Sequence, residues 1–153
     1  MKKIRLIIFI IILSSIKTFA QSSSFAVTIY GTQPDFTFST ISDYENGISL
    51  PAAVKFDVTA VNGDDWTISF KSLNSNLSSS NGSTMPLSMM KVQVEGFSSK
   101  VLSTSDQQLA SDNPSNNSAQ TKSYLIDYSV SAPGYNYDPA SYSATILYTL
   151  TVK

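Results

Sequence analysis

The residues able to do chemistry are few, and their types narrow the field. Asp64 and Asp65 are the only adjacent acids in the chain, and glycoside hydrolysis needs no more than two carboxylates. They fall, however, in Asn62-Gly63-Asp64-Asp65, a turn sequence that leaves both in water with untuned pKa values. Asp57 and Asp127 are predicted on the solvated faces of strands. The 153 residues contain no cysteine and no histidine. Thiol catalysis, histidine triads, Cys/His zinc sites and disulfides are thereby excluded. A serine nucleophile would need lysine as its base, and Ser88-Met89-Met90-Lys91 has the spacing. In Ser-Lys enzymes that spacing works on a helix; here the surrounding pattern is a strand. Oxygen ligands for calcium gather at Asn62 to Asp65 and near Asp106 and Asp112, without EF-hand spacing. The three Asn-x-Ser sequons, at Asn76, Asn81 and Asn116, are expected at this Ser/Asn content. The expectation is a protein that is not an enzyme and carries no cofactor or metal.

One set of side chains suits binding better than catalysis. Tyr135, Asn136, Tyr137 and Asp138 lie in Pro133-Gly134-Tyr135-Asn136-Tyr137-Asp138-Pro139. Loop tyrosines flanked by amide and carboxylate can stack on sugars or on a protein surface. This loop is the candidate binding site, with a cell-envelope glycan or surface protein as its partner.

Charge and the amino-terminal segment fix a compartment. Lys2, Lys3 and Arg5 precede the apolar run Leu6 to Leu13, and Thr18-Phe19-Ala20 supplies a small-x-small cleavage site. This reads as a secretory signal peptide over residues 1–20, the apolar run being well short of the ~20 residues of a spanning helix. Export to the cell surface, medium or periplasm follows, with no stable membrane anchor after cleavage. Without those twenty residues the ten cations fall to six against eleven acids, a net charge of −5. No basic patch survives for nucleic acid.

The elements that must position these residues are strands. Apolar and polar residues alternate at Phe25–Ile29, Phe36–Phe38, Val54–Ala60, Trp66–Lys71, Met90–Glu95, Ser123–Val130 and Tyr142–Val152. An eighth strand is possible near Val101-Leu102. Each has one wet and one dry face. No helical periodicity stands out, and Ser105 to Ala110 supports one helical turn at most. One domain over residues 21–153 is predicted: an all-β, Ig-like antiparallel β-sandwich of about seven to eight strands, with a closed barrel as the alternative. Asn62-Gly63 predicts the clearest hairpin, and Asn46-Gly47 another turn. Ser72 to Pro86 and Ser103 to Thr121 are predicted to be long polar loops. The predicted core contains Val27, Ile29, Phe38, Val54, Phe56, Val58, Trp66, Ile68, Phe70, Val92, Val94, Ile126, Tyr128, Ile146, Tyr148 and Leu150. Trp66 is expected to pack across the sheets on the strand of Tyr148.

Two segments carry a resemblance. Trp66-Thr67-Ile68, together with Tyr142, Ile146, Tyr148 and Leu150 of the final strand, resembles the paired motifs of the bacterial WxL surface domain. That family is an exported, non-enzymatic module held noncovalently at the cell surface. Ile68 stands where the family has Leu, and Tyr148 where it has Trp. The resemblance implies adhesion or cell-envelope binding. The same final strand is also similar to those of fimbrial and spore-coat-U type subunits, β-sandwiches that polymerise by strand donation. This second resemblance implies self-association in a pilus-like structure, with Phe25, Val27 and Ile29 as the donor row.

Overall fold

The structure, a computed structural model, describes residues 24–29, 35–60, 65–112 and 120–152. The elements in chain order are β1 (Ser24–Ile29), β2 (Phe36–Phe38), α1 (Ile41–Asn46), β3 (Ile48–Ala60), β4 (Trp66–Ser72), β5 (Asn76–Ser79) and β6 (Thr84–Pro86). They continue with β7 (Met90–Val94), β8 (Lys100–Val101), β9 (Gln107–Asp112), β10 (Gln120–Val130), β11 (Ala140–Ser143) and β12 (Ile146–Val152). Short 3-10 turns cover Leu87–Met89 and Gly134–Asn136.

Three antiparallel sheets form: β1-β3-β10-β7-β8, β12-β4-β9, and the small sheet β2-β11-β5-β6. The first two pack face to face, because each has one apolar row. Val54, Phe56 and Val58 of β3, Ile126, Tyr128 and Val130 of β10, and Val92 and Val94 of β7 form one wall. Trp66, Ile68 and Phe70 of β4 form the opposite one, none more than 3% exposed. The expected all-β antiparallel sandwich is what the chain builds. Side chains of β1 lie outside the description, but its backbone pairs with β3 from Ser24↔Thr59 to Ile29↔Val54.

The structure corrects four local expectations. Ser72 to Pro86 is not a structureless loop: β5 and β6 pair through Leu77↔Met85, and both side chains are fully buried. Two isolated apolar residues among serines carry no alternating pattern, yet they fill the end of the core beside Tyr142. Likewise β9 occupies part of the predicted second loop, where Leu109 and Ala110 are buried. A register shift between Ile68 and Ser69 accompanies that pairing, so two consecutive apolar residues can face inward. Third, Ile41–Asn46 is helical, although no apolar periodicity announces it. It is capped instead: the Thr40 hydroxyl accepts from the Asp43 N–H, and the Asp43 carboxylate accepts from the N–H groups of Ser39 (2.9 Å) and Thr40 (2.7 Å). Those two backbone donors hold the Asp43 carboxyl below its ordinary value. Gly47, at φ +76, stops the helix. Fourth, β3 and β4 are not a hairpin. They belong to different sheets, because both edges of β3 are taken, by β1 and by β10. The Asn62–Asp64 turn itself lies outside the described residues.

Trp66 is also corrected. The strand of Tyr148 is its neighbour within the same sheet, paired Val152↔Trp66. Its partner across the sandwich is Tyr124 of β10, edge-on at 5.6 Å.

Candidate functional site

The acids predicted to be solvated are indeed spent on local structure. Asp57 accepts from Ser123 Oγ and pairs with Lys55 Nζ at 3.0 Å. Both contacts, the hydroxyl first, lower its pKa. Asp127 accepts from the Ala52 N–H at 2.7 Å. There Pro51, Ala52 and Ala53 stand against the single residue Asp127, and Ala52 has φ 49. The carboxylate thus satisfies a donor that the bulge removed from the ladder. Asp106 and Asp112 pair with Lys71 and Lys122. Asp65 is exposed and Asp64 lies outside the description. Among the described residues no carboxylate is buried, and no three acids gather as a metal site. Ser88 sits on a 3-10 turn rather than on the predicted strand, and makes no hydrogen bond to Lys91.

The predicted binding loop is assembled but inwardly engaged. Tyr135 is 68% exposed, yet its ring stacks on Tyr44 at 6.0 Å and its hydroxyl donates to Glu45 Oε1 at 2.8 Å. Tyr137 packs half-buried against the core, and the Asp138 carbonyl accepts from the buried Tyr142 hydroxyl at 2.9 Å. Asp138 also takes the Ser83 hydroxyl. Of the four residues, Tyr135, Asn136 and Asp138 are exposed, and Asn136 alone of these has no hydrogen bond or ring contact among the described residues.

A different feature stands out: one edge of the sheet β12-β4-β9. An Ig-type sandwich sets strands one, two, five and four in one sheet, and three, six and seven in the other. Here β1, β3, β10 and β7 hold the first order, while β4 and β12 take the third and sixth places. The seventh place, beside β12, holds no strand among the described residues. Among the described residues, Val152 to Ile146 pairs along one side only, with Trp66 to Ser72. The consequence is visible in burial. Trp66, Ile68, Phe70 and Ser72 are closed, whereas of the residues directly opposite them Leu150, Tyr148 and Ile146 are only half-buried, and Val152 is 39% exposed. Leu147, on the outer face of the same strand, is 40% exposed.

Tyr148 anchors this edge. Its ring stacks on Phe70 at 6.5 Å, and its hydroxyl meets that of Tyr128 at 2.6 Å across the sandwich. The hydroxyl end lies deep between the sheets while the ring flank faces the open side. Burial, and then the neighbouring Tyr128, push the Tyr148 pKa well above 10. The motif residues Trp66, Ile68, Tyr142, Ile146, Tyr148 and Leu150 therefore divide. Trp66, Ile68 and Tyr142 are closed core, and the other three line the open edge. The alternation of β12 marks its dry face, but no sequence signal marks its place at an edge of the described sheet.

No helix among the described residues is long and apolar enough to cross a membrane. No protein-family model matches the sequence, and no curated protein matches it. Among solved structures, the chain is similar to the crystal structure of the P pilus rod subunit PapA. The match has a TM-score of 0.49 and 15% identity, and covers 86% of this chain and 99% of that one.

Proposed function

We propose that this protein is a non-enzymatic structural subunit of a surface fibre, exported and assembled by strand donation between copies. The observation that carries this reading is the half-buried row Ile146, Tyr148 and Leu150 beside an edge that pairs with nothing described. An unpaired edge next to an incompletely covered core is a template for an added strand: backbone groups supply affinity and alternate side chains supply specificity. The donor is β1 of a second copy. It has six residues against the seven of β12, carries the apolar row Phe25, Val27 and Ile29, and is held in its own chain, among the described residues, by β3 alone. Envelope binding through Tyr135 is the lesser reading, since that side chain is already tied to Tyr44 and Glu45.

Size-exclusion chromatography with light scattering on residues 21–153, across a concentration series, tests the proposal. Concentration-dependent oligomers are expected, together with slower hydrogen exchange at the amides of 146–152. Both should vanish when residues 21–29 are deleted, and added peptide 21–30 should restore the protection. A monomer at every concentration, with β12 exchange unchanged by the peptide, would sink strand donation.

A further inference from the structure

The strongest feature outside that edge is a shallow groove of mixed polar and apolar lining on the outer face of the sheet β1-β3-β10-β7-β8, where α1 runs into β3. Its volume is about 240 Å³. Ser129 on β10 stands opposite Lys91 on β7 and opposite Ser49 on β3. The three side chains therefore form one row across the sheet, on the face away from the buried Val92, Tyr128 and Val130. Asn46 and Ser131 line one end. Gly47 lies close against the floor: a Cβ there would come within 2.3 Å of the Val130 carbonyl oxygen. Only glycine lets the chain turn from α1 into β3 so near β10, and that turn shapes the groove.

We infer that this groove binds an acidic sugar, with Lys91 taking its carboxylate and the serine row taking its hydroxyls. Lys55, Lys71 and Lys122 each face a carboxylate. Lys91 faces none among the described residues, so its charge is available. Asp127, the next outward residue on β10, is occupied by the Ala52 N–H. Ser49, Ser129 and Ser131 make no side-chain hydrogen bond among the described residues. Asn46 commits its Nδ2 to Ser42, which leaves Oδ1 as an acceptor. One ammonium and several small donors and acceptors suit a ligand with one carboxylate and many hydroxyls. A peptide strand fits poorly, because β10 is paired on both sides and its floor offers no free backbone edge. A phosphate polymer fits poorly too, since it calls for clustered cations. The volume lies below the ~300–1,000 Å³ of drug-sized pockets, which matches a single sugar unit. This reading is independent of the β12 edge.

The test is a two-dimensional amide NMR titration of the purified protein with sodium glucuronate, and separately with glucose and with acetate. Saturable shifts at Lys91, Ser129 and Ser49 are expected with glucuronate, with glucose and acetate each at least tenfold weaker. Lys91→Gln should weaken glucuronate tenfold or more, whereas Lys100→Gln, at another exposed lysine, leaves it unchanged. Added sodium chloride should weaken binding to the wild-type protein, a readout that no variant's folding can confuse. Absence of saturable shifts at these amides, or a response unaffected by Lys91→Gln or by salt, overturns the site. Equal binding of glucose overturns the role of the carboxylate, and equal binding of acetate that of the hydroxyls.

Discussion

The two edges of the sheet β12-β4-β9 face opposite fates. Beyond β9 the chain itself closes the sandwich. The segment between β8 and β9 crosses from one sheet toward the other, burying Leu102 to 1% and giving its Ser103 carbonyl to the Ser72 N–H at 2.8 Å. Gln107 reinforces it by donating to the Val101 carbonyl at 2.9 Å. Leu109 and Ala110 are sealed as a result. Beyond β12 no described segment does the same, and its inward row stays partly exposed. Both edges belong to strands paired with β4, and both present apolar residues inward. The difference lies in whether a connecting segment passes over the gap.

The largest effect expected is at the strand the two edges share. Phe70→Ala, at a fully buried ring, should cost about 3–5 kcal/mol in urea unfolding. On the closed edge, Leu102→Ala should cost about 2–4 kcal/mol, since the side chain is a fully enclosed plug. On the open edge, Leu150→Ala should cost the isolated protein only about 1–2 kcal/mol, as its side chain is not fully enclosed. Equal losses for Leu102→Ala and Leu150→Ala would mean that β12 is covered and that the two edges are alike.

Alkaline titration sharpens the comparison from the side of Tyr148. Burial raises the pKa of Tyr148, and of Tyr128 beside it, above the ordinary tyrosine value. The folded protein then holds these protons longer than the unfolded chain does. The stability they contribute is complete below about pH 10 and falls as the pH rises through the folded values. Tyr148→Phe should flatten that fall, and should cost about 1–2 kcal/mol at neutral pH by leaving the Tyr128 hydroxyl without its partner. A donor strand laid along β12 should steepen the fall, because it buries the ring flank as well. The smallest effect expected is away from both edges. Asp127→Ala should cost about 1 kcal/mol by releasing the Ala52 N–H in the bulge.

The open edge was not legible in the sequence, and the reason is geometric. Alternation reports which way a side chain faces, a property of single strands. It put Trp66, Ile68 and Phe70 in the core, and there they lie. It treated Ile146, Tyr148 and Leu150 identically, since nothing local separates a strand with two neighbours from a strand with one. The same blindness joined β3 to β4 across Asn62-Gly63 as a hairpin. Pairing in sheets is nonlocal, and the competitor for the edge of β3 was β10, some sixty residues further along. Leu77 and Met85 escaped because a hairpin of three or four residues shows too few alternations to count. Thr40 and Asp43 carried a readable helix start, a capping box, which a search for apolar periodicity passes over.

The sequence by itself determined the class of chemistry and the class of fold. Lacking cysteine and histidine, it excluded thiol catalysis, histidine triads, Cys/His zinc sites and disulfides. Its repeated period of two committed it to one-sided strands that must stack in pairs to bury their dry rows. Tertiary structure decided which strands became edges. It also decided that β12 would lie at an incompletely covered one, and that Lys91 would stand in line with Ser129 and Ser49. Those outcomes depend on how three sheets share one core and on which connections cross its open sides, relations between residues far apart in the chain.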